Sequence, residues 1–409
     1  MRPDAFVRNG QFDVEGFGLS NLTGSSRTPF YVYSGRVVRQ NYARLVRALP
    51  GFEVFFSLKA NPLPAVSGLL HSLGAGAEVS SAGELRTVLR VGFAPRNIVL
   101  VGPAKTRRDL SAALNAGIYA VVAESAAELA VLEELAARRR VRPSVLLRVN
   151  TWEQPTGARE RMVGGPSKFG FDEETLVSEV RKLNLRHVRI LGIQAYSASG
   201  VLDAGFIRRH LEYVVRLAAR VSRELAFPLR GIDFGGGFGI PYETGQRELD
   251  LSRVSRAAAQ LRRKYTQELR GCRLILEIGR YLVAEAGVFV TRVVRVKQSR
   301  GRLFAICDGG MNHFSRPVFM QVAHQAHVLN RIAERAVQEY EIAGPLCTPI
   351  DRLATKCRLP EVEAGDLIGV FDAGAYGCSM SLLRFLSFGL PGEILVDQGR
   401  PVYVRRRIQ

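Results

Sequence analysis

Lysine is scarce in this 409-residue chain, with seven lysines beside fifty arginines. Cysteine is scarce too: Cys272, Cys307, Cys347, Cys357 and Cys378 stand far apart, with no CxxC pair. That spacing argues against a disulfide framework and a zinc site, and it suits a reducing compartment. The six histidines gather no acidic or thiol partners, so no metal site is expected. No stretch approaches the ~18 uninterrupted apolar residues of a membrane span. The opening "MRPDAFVRNGQFDVEGFG" lacks the apolar core of a secretory signal. These absences predict a soluble, cytoplasmic protein with no membrane partner. Internal repeats and low-complexity segments are also missing.

Positive charge, by contrast, is abundant: the formal net charge is +19, carried almost wholly by arginine. The arginines of "RRDLSAALNAG" and "AARRRVRP" fall on ordinary amphipathic helices, and no zinc-finger, RNA-recognition or helix-turn-helix signature accompanies them. Nucleic acid is therefore not the expected partner. The charge reflects either a solvated arginine-rich surface or attraction to an acidic partner.

Between residues 36 and 285, short apolar runs alternate with stretches of helical period. The runs "VFFSL", "GAEVS", "IVLVG", "YAVVAE", "VLLRVN", "LGIQAY", "GIDFGG" and "LILEIG" read as eight strands. Strict alternation of strand and helix implies a parallel sheet, and eight units in this length fit a closed (β/α)8 barrel. After residue 285 the texture changes to runs such as "VFVTRVVRVKQ", "RLFAICDGG" and "GEILVDQGRPVYVRRR", which alternate apolar and polar residues. An antiparallel β-barrel or β-sandwich domain is expected there, built from residues 286–409 with 1–35, whose "PFYVYSG" reads as a strand. The fold class is thus α/β, a TIM-like barrel plus a β domain.

One of the seven lysines, Lys59, follows the first strand in "VFFSLKANP". A lysine there either reaches solvent or serves as a nucleophilic amine that forms a Schiff base with a carbonyl compound. Barrel active sites lie at the C-terminal ends of the strands, with phosphate sites commonly after strands seven and eight. Strand seven runs into "DFGGGFGIPY", whose consecutive glycines allow backbone N–H groups to approach an anion. Strand eight ends in "LEIGR", with Glu277 and Arg280. A lysine, a glycine-rich cradle and a carboxylate at one rim suit pyridoxal 5'-phosphate.

These motifs, with "GAEVSSAGEL", "SKFGFD", "CDGGMNHFSRP", "GPLCTPID" and "GDLIGVFDAGAYG", run colinearly along the chain, which resembles the fold-type III pyridoxal-phosphate decarboxylases. Diaminopimelate, ornithine and arginine decarboxylases form that family, whose fold is alanine racemase-like. The resemblance implies that Lys59 carries the cofactor. Ser199, Gly236, Gly237 and Tyr376 would contact its phosphate, Glu277 its ring nitrogen, and Arg280 the phosphate and substrate. It implies further that Cys347 protonates the substrate carbon and that Asp351 and Arg316 meet an amino-acid substrate. In the family, the Cys347 loop enters the neighbouring subunit's site, so a homodimer is expected. Glu277 favours decarboxylation over racemisation, since a carboxylate keeps the ring nitrogen protonated and racemases place an arginine there. The alternatives are a racemase of the same fold and a catalytically silent relative.

Three departures stand out. The family's ring-stacking histidine is Tyr196, its usual Glu-Pro-Gly-Arg is Glu-Ile-Gly-Arg, and its Cys-Glu-Ser is Cys347-Thr348-Pro349. Diaminopimelate decarboxylases use that glutamate to grip a distal ammonium, so diaminopimelate is a poor candidate substrate. The segments "GPAKTRRDL", "MVGGPSKFGFDEE" and "FLSFGLPGEILV" resemble a specialised biosynthetic branch that includes a glutamyl-acyl-carrier-protein decarboxylase. A strongly basic enzyme would suit an acidic carrier protein.

Overall fold

A computed structural model describes residues 3–152, 160–161, 164–243 and 245–408. Residues 162 and 163 of the "MVGGPSKFGFDEE" segment lie outside them. Contacts divide the chain into two compact units, Tyr42–Ile240 with Glu248–Gly279, and Met1–Asn41 with Pro241–Arg247 and Arg280–Gln409.

The first unit is the eight-stranded parallel barrel. Its strands are β1 (Glu53–Ser57), β2 (Gly76–Val79), β3 (Ile98–Leu100), β4 (Ala120–Ala123), β5 (Ser144–Asn150), β6 (Arg189–Gln194), β7 (Gly231–Asp233) and β8 (Arg273–Ile278). All eight expected strands form. Successive strands pair in parallel from β1 to β8, and β8 pairs with β1 to close the barrel. The strands are short and almost wholly buried because helices cover one face and packed side chains the other, as their near-continuous Val, Ile, Leu and Phe content requires. β7 stops at Asp233 because Gly235 and Gly237 adopt φ of 61° and 93°, which an extended strand cannot contain. Local sequence also sets the helix limits. Ser81, Thr106 and Ser125 each accept a backbone N–H at a helix start, and Gly92 and Gly117 take the left-handed conformation at two ends.

The second unit is a nine-stranded sheet organised around the long strand Gly287–Ser299, which pairs with Phe30–Ser34, Leu367–Val370 and Arg302–Cys307. "PFYVYSG" is a strand of this sheet, as expected. The sheet is not purely antiparallel, however. Phe30–Ser34 runs parallel to Gly392–Asp397, and Arg302–Cys307 runs parallel to Gln338–Ala343. Neither pair is joined by a tight hairpin, so nothing forces the antiparallel direction. Its core packs Phe6, Phe12 and Phe30 against Phe371, Ile394 and Val396.

Among the described residues, no helix is long and apolar enough to cross a membrane.

Candidate active site

The strand ends of the barrel unit bring together most of the expected barrel residues. β1 gives way to a single tight turn, Leu58–Ala60, that presents Lys59. Its Nζ donates to both carboxylate oxygens of Glu78, at 2.9 and 3.0 Å, from the end of β2. The lysine side chain stays 41% exposed while that of Glu78 is fully buried. The amine is thus half-exposed rather than freely solvated, held by a buried acid. The Tyr196 ring lies 5.9 Å from the same nitrogen. Sequence reasoning gave Glu78 no role, although a carboxylate at the neighbouring strand end was the available signal.

The glycine turn after β7 is held tightly. A Cβ at Gly236 would stand 1.8 Å from the Glu277 carbonyl oxygen, and one at Gly237 2.1 Å from that of Ala198. Close backbone approach therefore demands glycine at both positions. Their N–H groups donate to no protein acceptor among the described residues, and both residues are partly exposed. Two unengaged N–H groups on a fixed turn are suited to an anion. Ser199 is buried close by in the chain segment that packs on Gly237.

His210, unassigned by the sequence, positions this turn. Its Nε2 donates to the Phe234 carbonyl at 2.8 Å, and its Nδ1 accepts from the Ser197 hydroxyl at 3.0 Å. Burial lowers its pKa, consistent with a neutral ring that uses one nitrogen to donate and the other to accept.

Glu277, near the end of β8, is buried, and Oε2 accepts from Gln194 Nε2 at 3.1 Å. Among the described residues, neither Glu277 Oε1 nor Oδ2 of buried Asp233 has a donor. The charge of Glu277 also works against ionisation of Asp233, so the two buried carboxyls titrate as a linked pair. Burial is the chief cause that pushes Glu277 up to about 7, with the Glu78 charge adding to it and Lys59 opposing it. Asp233 is driven up in the same sense, again mainly by burial. A protonated ring nitrogen reaching Oε1 would supply the missing donor and a compensating charge. By this test the mouth fits a pyridine ring.

The second unit carries the remaining candidates. Arg280 and Arg316 are buried, 7% and 3% exposed. Arg280 lies 4.9 Å from the Tyr376 ring and 5.8 Å from that of Tyr242; Arg316 lies 4.9 Å from Tyr242 and 5.9 Å from Tyr376. His324 joins them, edge-on to Tyr242. Burial, followed by the two guanidiniums, lowers it to about 3, so it is neutral. Two guanidinium forks steadied on tyrosine faces are built to bind carboxylate or phosphate oxygens.

Cys347 is exposed on the loop between Ala343 and Arg352. Asp351 is buried beneath that loop and spends its oxygens on backbone, accepting from Met311 N at 2.6 Å and Leu346 N at 2.8 Å. Thr348 and Pro349 add no acid.

Residues 35–284 match the family described as pyridoxal-dependent decarboxylase, pyridoxal binding domain. The chain belongs to this family: it is a pyridoxal-phosphate-dependent carboxy-lyase built on the alanine racemase-like barrel, and its cofactor is pyridoxal 5'-phosphate. It is 35% identical to the L-glutamyl-[BtrI acyl-carrier protein] decarboxylase of Niallia circulans, over 95% of this chain and 93% of that protein. It is 32% identical to the diaminopimelate decarboxylase of Aquifex aeolicus, over 98% and 94%. Among solved structures, the diaminopimelate decarboxylase of Methanocaldococcus jannaschii in complex with L-lysine superposes with a TM-score of 0.90. That match is 27% identical and covers 98% of this chain and 95% of that one.

Proposed function

We propose that this enzyme removes the α-carboxyl group of an amino acid delivered on an acidic carrier protein. The observation that carries the chemistry is the barrel mouth itself, where Lys59, Glu78, Tyr196, the Gly236–Gly237 turn and the donor-poor oxygen of Glu277 stand together. Bound pyridoxal phosphate supplies an aldehyde that an amine can hold covalently and a ring that takes up the electron pair left as CO2 departs. Lys59 is the amine that carries it. Glu78 orients Lys59 through two hydrogen bonds. Tyr196 covers a ring face, and the Gly236 and Gly237 N–H groups with Ser199 take phosphate oxygens. Glu277 holds a proton at the ring nitrogen. Arg280 and Tyr376 are assigned to phosphate and substrate, Arg316 to a substrate carboxylate or carbonyl. Cys347 returns the proton to the α-carbon, and Asp351 fixes the loop that presents it.

The substrate reading rests on what the Cys347 loop offers. A distal ammonium needs a carboxylate when buried. Asp351 has committed both oxygens to backbone N–H groups, and Thr348 and Pro349 carry no charge. Similarity to the Niallia circulans enzyme and the +19 charge both favour an acidic carrier. Free glutamate, free diaminopimelate and a carrier protein loaded with glutamate through its side-chain carboxyl, which leaves the α-carboxylate free, are offered in parallel with CO2 release as the readout and separate the possibilities. The carrier-bound substrate is expected to have a kcat/KM at least about a hundredfold higher, and the advantage should shrink as salt screens the charges. Equal turnover of free amino acids would remove the carrier while leaving the decarboxylase.

The active unit is proposed to be a homodimer in which each Cys347 serves its neighbour's Lys59. The exposure of Cys347 supports this. Lys59→Ala and Cys347→Ala proteins, each inactive, should recover about a quarter of wild-type activity when unfolded and refolded together, because half the dimers then hold one intact site. No recovery, from a mixture shown to contain heterodimers, would place both residues in a site within one chain.

A further inference from the structure

The amino-terminal end of the barrel, opposite the mouth with Lys59, holds a second concavity of about 650 Å³. Sixteen residues line it, among them Arg96, Arg142, Arg189, Arg230 and Arg273, and none is Asp or Glu. The arginines arrive from separate barrel strands. Arg96 precedes β3, Arg142 precedes β5, Arg230 precedes β7, and Arg189 and Arg273 begin β6 and β8. Parallel closure of the sheet therefore brings five arginines far apart in sequence to the lining of one concavity, four of them exposed.

Among the described residues, Arg273 is the one of the five with an ion-pair partner. It pairs with Glu53, donates to the Arg96 carbonyl at 2.7 Å, and sits 4.2 Å from the Tyr119 ring. Arg189 is oriented by the Ser144 hydroxyl, at 2.8 and 3.2 Å, which supplies no charge. Among the described residues, Arg96, Arg142, Arg189 and Arg230 have no ion-pair partner. Among the described residues, the buried Tyr119 hydroxyl there has no hydrogen-bond partner. Four uncompensated like charges around one cavity repel one another, and an anion with several charges would reverse the sign of that interaction. Guanidinium forks match phosphate oxygens two at a time. The volume lies within the ~300–1,000 Å³ of small-molecule sites, too small for a duplex or a protein domain.

We propose that this cavity binds a small polyphosphate or polyphosphate-bearing metabolite. It is separate from the glycine turn, whose anion is the cofactor's own phosphate, and does not depend on the proposed substrate.

Isothermal titration of the holoenzyme with inorganic triphosphate, and separately with ATP, tests this. One saturable site per chain is expected, weakening as salt rises. An Arg142→Ala/Arg230→Ala variant should bind at least about tenfold more weakly. An Arg86→Ala/Arg90→Ala control, which removes the same charge from the exposed face of the Ala82–Val91 helix, should bind within about twofold of wild type. Unchanged decarboxylation and melting temperature establish that the variants fold, and Arg142→Ala alone serves if the double variant does not. Equal binding of triphosphate and ATP means the phosphate chain is recognised; ATP alone means the nucleoside is read as well. Absence of saturable binding by either, or equal weakening in the variant and the control, overturns the proposal.

Discussion

Replacing Lys59 with alanine is expected to lower kcat by at least about a thousandfold, because on the proposed reading it removes the amine that holds the cofactor. A second effect accompanies it. Glu78 is fully buried, and Lys59 supplies two of its hydrogen bonds. Breaking a buried pair by removing one partner typically costs ~3–5 kcal/mol, and the 41% exposure of the lysine discounts this to roughly 1–3 kcal/mol. Alanine should therefore both inactivate and destabilise the protein. Lys59→Arg separates the two effects. It keeps a cation for Glu78 but removes the primary amine, so it should melt closer to wild type and remain as inactive as the alanine variant. A Lys59→Arg enzyme with substantial activity would mean that the amine is not the cofactor's attachment point.

Glu277→Gln should lower kcat by about a hundred- to a thousandfold, the range found when one electrostatic partner of a developing charge is removed. Glutamine keeps the shape and can still accept from Gln194, but it cannot hold a proton on a ring nitrogen. The same substitution has an opposite effect on the cofactor-free protein. Glu277 stands at about 7 in the fold, above an unfolded value near 4.3. Across that window the folded chain holds a proton that the unfolded chain has released. Stability of the apoprotein must therefore fall as pH rises from about 4.3 to about 7, then level off as regards this group. Glu277→Gln should lessen that fall, leaving the part that Asp233 carries, and make the apoprotein more stable than wild type at pH 8. Cofactor binding should do likewise, since a cationic nitrogen favours the ionised carboxylate. Melting curves of both apoproteins at several pH values check this. An unchanged pH slope in the glutamine variant would show that Glu277 does not carry the buried proton.

The barrel was legible because each strand is a short apolar run set off by a helix of clear period, and both Lys59 and Glu277 announce themselves as charges at the ends of such runs. The glycine turn was legible for its composition, although its physical cause differs in part. The glycines are demanded by the carbonyls of Glu277 and Ala198 pressing on them, and this leaves their N–H groups available. Partners contributed from other strands were not legible. The bond from Gln194 to Glu277 spans 83 residues, and the two His210 bonds join a helix to two separate loops. Nothing local marks such residues, since buried polar groups are explained only by what they meet. Asp351, to which the resemblance gave a substrate contact, also accepts two backbone N–H groups and shapes the Cys347 loop, a role its sequence did not show. The two parallel pairings of the sheet unit were equally invisible, because they join segments with no short connection.

The central claim is that Lys59, among seven lysines, is the residue bonded to the cofactor. Borohydride reduction of the holoenzyme, followed by proteolysis and mass spectrometry, reads this directly. The pyridoxyl mass should appear on the peptide containing Lys59 and on no other, with loss of visible absorbance and activity. A tag on a different lysine, or a protein that stays untagged after saturation with cofactor, would contradict it.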